Sequence, residues 1–300
     1  MNDPLPPATR PDARLVRAAF DAAAARYDDC AVLQREVGTR LLERLDLVKL
    51  VPARVLDLGC GTGLHTRALL DRYPQALVCG ADLAPAMCAR TRARSGWFRR
   101  LRAVCADAAR LPFADDSLDL VWSNFTLQWC GAPDAVFAEV RRVLRPGGLF
   151  LFTTLGPDTL RELRAAWATV DDRPHVNDFT DMHDVGDALV RARLADPVLD
   201  VERFTLTYPD VLALMRELKA IGAHNVLDTR ARSLTGRGRL AAMSAAYERE
   251  RRDGVLPASY EVVYGHAWAP AQKLSVDGPG GVATFPLSGL RRRPPAGPAA

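Results

Sequence analysis

No stretch of the chain approaches the roughly 18–20 uncharged apolar residues of a membrane-spanning helix, so such a helix is excluded. The N-terminal residues Met1 to Pro11 contain four prolines and no apolar segment. They lack the pattern of a secretory signal, and a cytoplasmic location is expected. Cysteine is sparse, at positions 30, 60, 79, 88, 105 and 130, with no C-x-x-C and no histidine at zinc-finger spacing. That excludes the usual zinc sites and leads to the expectation of six reduced thiols and no metal. Lysine is nearly missing: all but Lys49, Lys219 and Lys273 of the 40 cationic residues are Arg. The excess matches GC-rich codon usage, and a net charge of +4 is too small to signal nucleic-acid binding.

What is present describes a globular chain of 300 residues, 48% hydrophobic and 25% charged, long enough for a substantial core. The ends differ from the middle. Residues 1–13 are Pro-rich, and residues 273–300 mix Pro and Gly with Arg291-Arg292-Arg293. Neither buries enough apolar surface to offset its ordering entropy, so both are expected to be disordered around a folded unit of 14–272.

Within that unit, short apolar runs alternate with helical patterns. Strands are expected at Arg54–Leu58, Leu77–Asp82, Arg102–Asp107, Leu118–Asn124 and Leu149–Thr154. Helices are expected at Thr66–Tyr73, from Pro85, and at Asp134–Leu144, the last stopped by Pro146-Gly147-Gly148. The second half carries helical patterns at Asp158–Trp167, Asp184–Leu194, Val211–Ile221 and Leu240–Arg252, with strands at Arg203–Tyr208 and Tyr260–His266. Alternation of this kind implies right-handed crossovers and a mostly parallel α/β sheet with helices on both faces. Ligands of such sheets bind beyond the carboxyl ends of the strands, which here points to Gly59–Gly63, Asp82, Asp107 and Asn124–Gln128.

The most informative segment is Val55-Leu56-Asp57-Leu58-Gly59-Cys60-Gly61-Thr62-Gly63. Its glycines permit a sharp turn and close approach of a ligand. The spacing is G-x-G-x-G rather than the G-x-G-x-x-G of dinucleotide sites, and Asp57 would repel a pyrophosphate. An acid in that place suits a cationic ligand, which disfavours a nicotinamide nucleotide. The segment resembles the first motif of class I S-adenosylmethionine (SAM) methyltransferases, and the resemblance implies their Rossmann-like fold. It also implies that Asp82 takes the ribose hydroxyls, with Leu83 and Met87 beside it, that Asp107-Ala108 meets the adenine, and that Asn124 belongs to the loop after the fourth strand. Arg145-Pro146-Gly147-Gly148 matches the usual turn before the fifth.

Further blocks narrow the family. Phe20–Ala23 with Tyr27-Asp28 and Leu33-Gln34, the run His175–Asp187, the run Glu217–Asn225 and the run Tyr260–Trp268 together are similar to the malonyl-acyl-carrier-protein O-methyltransferases of biotin synthesis, over about Arg14 to Pro270. The resemblance implies methyl transfer from SAM to the free carboxylate of a malonyl thioester on acyl carrier protein (ACP), with a helical cap around 157–195 and 210–255. That carboxylate, with a pKa of about 4, is already ionised at neutral pH, so no general base is required. Tyr27 and Phe179 are the candidates to wall the reacting groups. Gln128, Trp129 and His183 are candidates at the substrate, and Asp184 a candidate helix cap. ACP surfaces are acidic, so Arg142, Arg145, Arg216, Lys219, Arg230 and Arg232 are candidate docking residues.

Three other readings share parts of this pattern. A quinone-type C-methyltransferase has the same core, a complex I assembly hydroxylase carries a similar D-x-H-D-x-G block, and a non-catalytic SAM-binding scaffold would tolerate loss of the glycine turn or of Asp82. Both are intact here.

Overall fold

The computed structural model describes residues 11–96, 100–131, 133–223 and 236–271. The tail residues 1–10 and 273–300, and with them the Arg291–Arg293 run, lie outside this set. Residues 11–13 do not: Asp12 accepts hydrogen bonds from the amides of Arg14 and Leu15 and caps α1, Ala13–Ala23. Two more helices follow, α2 (Tyr27–Cys30) and α3 (Val32–Glu43), before the sheet begins.

Strands β1 (Arg54–Leu58), β2 (Leu77–Asp82), β3 (Arg102–Cys105), β4 (Leu118–Ser123) and β5 (Leu144–Leu155) run parallel. Helices α4 (Leu64–Arg72), α5 (Pro85–Ala93) and α6 (Pro133–Val143) make the crossovers. Two long strands, β6 (Ala195–Tyr208) and β7 (Leu256–Trp268), complete the order β3-β2-β1-β4-β5-β7-β6, with β7 antiparallel to both neighbours. The sheet therefore reverses direction of winding between β1 and β4, where a doubly wound sheet opens a crevice.

Alternating side chains serve two cores. Val55, Leu120, Trp122 and Leu151 face α3 and α4, while Leu56, Leu58, Val121, Phe150 and Phe152 face α6. Helices α7 (Arg161–Ala168), α9 (Val211–Ala220) and α10 (Arg237–Tyr247) close over the first layer beyond β5. Helix α8 (Met182–Arg191), expected in the cap, instead packs its Val185, Ala188 and Leu189 into the second layer beside α6. No helix among the described residues is long and apolar enough to cross a membrane.

Three local expectations are corrected. Arg145-Pro146-Gly147-Gly148 is not a turn before the fifth strand but a bulge inside it. Pairing slips from Leu118↔Leu144 to Leu120↔Leu149, and the bulge is closed by Gly147 N–H to Ala269 O at 2.9 Å. Strand β6 begins at Ala195, well before Arg203. It is an edge strand, and the pairing to β7 shifts between Ala195 and Val198, where Pro197 has no N–H to give the ladder. Helix α8 starts at Met182, because Asp181 and not Asp184 caps it, accepting from the His183 amide at 2.8 Å.

Candidate active site

The site grows from the ends of β1, β2 and β4. Gly59 leaves β1 with φ +75°, and a Cβ there would stand 1.8 Å from the Thr126 hydroxyl, so only glycine lets the turn close against the β4 loop. Gly63, at φ +83°, starts α4 and packs on Thr91; it lines no cavity. Gly59 and Gly61 line two adjoining cavities of about 320 and 200 Å³, joined also by Tyr27 and Asn124.

The larger holds Asp57, Thr62, His65, Arg94 and Trp122. Asp57 is buried and accepts a hydrogen bond from Thr66 through Oδ2, while its Oδ1 has no partner. Burial, with Asp82 nearby, pushes its carboxyl up to about 7 against the opposing Thr66 bond. His65 meets Trp122 at 5.1 Å with the rings tilted by 41°, and occupies space that α3 leaves by having Gly38 there. Burial lowers its pKa to about 4, so the ring is neutral. Its Nε2 and the Trp122 Nε1 also lack partners. Buried polar atoms without partners are rare, and three on the lining of one cavity mark a place for a polar ligand.

The smaller cavity holds Asp82, Leu83, Met87, Asp107 and Ala108. Asp82 accepts from Gly61 N–H at 2.9 Å and Ala84 N–H at 2.8 Å, which orients its carboxylate across both chain turns. Burial raises its pKa despite those bonds. Asp107 accepts from the Ala109 amide at 2.9 Å. Asn124 donates to Gln34 O at 2.8 Å and accepts from Thr153 at 2.7 Å, tying β4 to α3 and β5. An unpaired buried acceptor at the glycine turn, a carboxylate at the end of β2 and a small residue after β3 fit the ammonium, the ribose and the adenine of SAM.

A third cavity, of about 250 Å³, lies under α7 and α9. Phe179, Gln128, Trp167, Met215, Leu218 and Tyr260 are in its lining, and among the described residues no Arg or Lys is. Tyr27 lines all three cavities, and Trp129 the smaller cofactor cavity and this one. Burial, then Asp82 and Asp28, raises the Tyr27 pKa, so its hydroxyl stays protonated. The N-terminal helices that carry Tyr27 are fastened to the cofactor turns. Asp21 caps α5 by accepting from Ala86 N–H at 2.8 Å, and Asp28 accepts from Thr62 and pairs with Arg94. Phe20 meets Trp129 edge to face at 5.3 Å.

Two candidates are displaced from the site. His183 is 85% exposed, lines no cavity and pairs with Asp181 at 2.7 Å. Arg142 cannot offer its guanidinium to a carrier: its five N–H bonds go to Glu139 twice, Asp115, Leu111 O and Phe113 O. Arg145 pairs with the buried Asp119 at 2.5 Å. Lys219 and Arg216 are exposed on α9, whose other face lines the third cavity, while Arg230 and Arg232 lie outside the described residues. Sequence reasoning missed His65, Trp122, Arg94 and Trp167 as site residues. His65 had a signal: it follows the glycine turn within one helical turn.

Comparison with known proteins agrees with this geometry. Residues 56–152 match the model of the methyltransferase domain family. The chain is 57% identical over 270 residues to a malonyl-[acyl-carrier protein] O-methyltransferase of Laribacter hongkongensis, covering 87% of this chain and 91% of that protein. It is 56% identical over 273 residues to the protein so named from Methylovorus sp., covering 88% and 92%. The fold is similar to a crystal structure described as a putative methyltransferase from Bacillus halodurans, with TM-score 0.55 and 17% identity over 77% of this chain and 99% of that one. With the glycine turn, Asp57 and Asp82 in place and relatives aligned over most of its length, the chain belongs to the malonyl-[acyl-carrier protein] O-methyltransferase family of SAM-dependent methyltransferases.

Proposed function

We propose that the protein methylates the free carboxylate of a malonyl thioester carried on ACP, the ester masking a charge so that chain elongation toward biotin can proceed. The observation that carries this reading is the meeting of the cofactor cavities with a largely apolar cavity at Tyr27. When bound, SAM supplies a methyl group on a cationic sulfonium. Asp57, His65 and Trp122 would hold its amino-acid end, Asp82 its ribose, and Asp107 with Ala108 its adenine.

The chain's own residues need do little proton transfer, because a carboxylate of pKa about 4 is already a nucleophile at neutral pH. Their work is alignment and exclusion of water. The described lining carries no Arg or Lys, so none of those residues pairs the carboxylate with a fixed cation and its charge stays available for attack. Neutral groups such as Gln34 and Gln128 are the ones that can orient it. Tyr27 and Phe179 wall the cavity, and the protonated Tyr27 hydroxyl can donate but not remove a proton.

The test is to incubate the protein with SAM and malonyl-ACP and to follow the prosthetic arm by mass spectrometry. A gain of one methylene on the malonyl group is expected. Transfer to a quinone precursor and not to malonyl-ACP would overturn the reading.

A further inference from the structure

A fourth cavity, of about 240 Å³, opens outside the substrate cavity. Its rim includes Arg164, Ala168, Asp172 and Arg173, and it shares Trp167, His175 and Val176 with the cavity behind. The shared wall is a stacked pair: the Trp167 and His175 rings lie 3.8 Å apart and 8° from parallel. Asp171 Oδ1 holds the imidazole Nε2 at 2.7 Å.

Around this wall the polar groups are incompletely paired. Asn177 is 8% exposed, lines the substrate cavity, and has no partner for its Oδ1. Arg164 donates to Pro157 O and Asn177 O through its terminal nitrogens, but its buried Nε donates to nothing. Among the described residues Asp171 Oδ2 makes no hydrogen bond, and it lies 3.6 Å from the Arg239 guanidinium. One unused donor and two unused acceptors thus flank the wall between an outer vestibule and the substrate cavity. Unsatisfied groups of both kinds, buried together, call for a ligand that offers both kinds in return.

From this juxtaposition we infer that the vestibule and the Trp167–His175 wall are the entry channel for the amide-bearing thioester arm of the carrier. The inference rests on the malonyl-ACP reading and names the route. An amide of the arm offers a carbonyl to Arg164 Nε and an N–H to Asn177 Oδ1. A free small acid, or an isoprenoid ring, has no such alternation to offer. Asp172 and Asp178 also face the vestibule, so amide pairing and not net charge is what selects the arm. The exposed Arg173 stands at the outer end, where the arm's phosphodiester emerges. The stacked rings must part, or be lined by the arm, for the thioester to pass.

The channel is tested by Ala168→Trp, which adds a ring at the exposed vestibule rim and leaves the substrate cavity untouched. KM for malonyl-ACP should rise about tenfold or more, while kcat/KM for an armless S-ethyl malonyl thioester and the Kd for SAM stay at wild-type values. Asn177→Leu should raise KM for malonyl-ACP more than for the armless thioester. Independently of turnover, pantetheine should bind the wild-type protein, read by NMR line broadening, and not Ala168→Trp. Wild-type kinetics of Ala168→Trp on malonyl-ACP, equal loss on both thioesters, or undiminished pantetheine binding would each overturn the channel. If the wild-type protein methylates neither thioester, the function itself fails, which is a separate result.

Discussion

The turns after β1, β2 and β4 and the cavity beneath α7 and α9 meet opposite demands within one molecule. On the cofactor side, polar atoms are close together and fixed by backbone: Asp82 spans two amides, Asn124 ties three elements, and Gly59 allows a contact that a methyl group would prevent. On the substrate side, the short helices α7 and α9 lay apolar side chains over a space whose described lining holds neutral polar groups and no Arg or Lys. A cationic cofactor is held by many directed bonds. An anion that must stay reactive is better held by shape. The contrast teaches that affinity should be concentrated on the first side and rate on the second.

The largest expected effect is on the first side. Asp82→Ala removes a carboxylate positioned for two hydroxyls, and at about 1.5 kcal/mol for each bond the Kd for SAM should rise ~100-fold by calorimetry. Unchanged affinity would remove Asp82 from the cofactor site. Next comes the junction. Tyr27→Ala should lower kcat about tenfold with SAM affinity changed less, because the loss is of alignment. Tyr27→Phe, measured beside it, should keep most activity if the ring acts as a wall; an equal loss would assign the work to the hydroxyl.

Asp57 sharpens the comparison through pH. Its carboxyl is raised to about 7 in the folded protein, and a cationic ligand favours the ionised form. Affinity for SAM should therefore fall as pH drops below about 7 and level off above it, with proton release on binding seen as buffer-dependent heats; Asp57→Asn should flatten the profile. The sign for stability is the reverse. A carboxyl raised from about 4 in the unfolded chain contributes stability that is full below that value and lost as pH rises through about 7. Ligand-free protein should thus lose part of its Tm over that range.

Smaller effects probe the surface. Arg142→Ala should lower Tm by several degrees, since Glu139 and two carbonyls lose their partner, yet leave KM for malonyl-ACP unchanged. A raised KM with normal Tm would return Arg142 to docking. Lys219→Glu should raise that KM about threefold at low salt and less at high salt.

Much of the first region was legible because its information is local. Five strands, the glycine turn, Asp57, Asp82 and Asp107-Ala108 follow one another at strand and turn spacing, and the structure places all of them at one edge. Gly63 was adjacent by sequence but turned to Thr91. The second region was less legible. His183 and Asp184 look alike as polar residues before a helix, and only the position of Asp181 decides that His183 points outward. Arg142 is indistinguishable by sequence from a docking residue until five acceptors are seen around it.

The sequence by itself determined the fold class, the cofactor class and the order of the proposed cofactor residues along the strand ends, since each depends on residue types a few positions apart along a strand and its turn. Only the tertiary structure decided that β7 is a long inner strand between β5 and the long edge strand β6, and that α8 leaves the cap. Nor could any single segment show that Tyr27 joins three cavities or that Trp167 and His175 form a wall. The first depends on segments far apart in the chain, and the second on how the loop after α7 folds back over that helix. Packing selects such partners by shape and unpaired hydrogen bonds, and no local pattern encodes them.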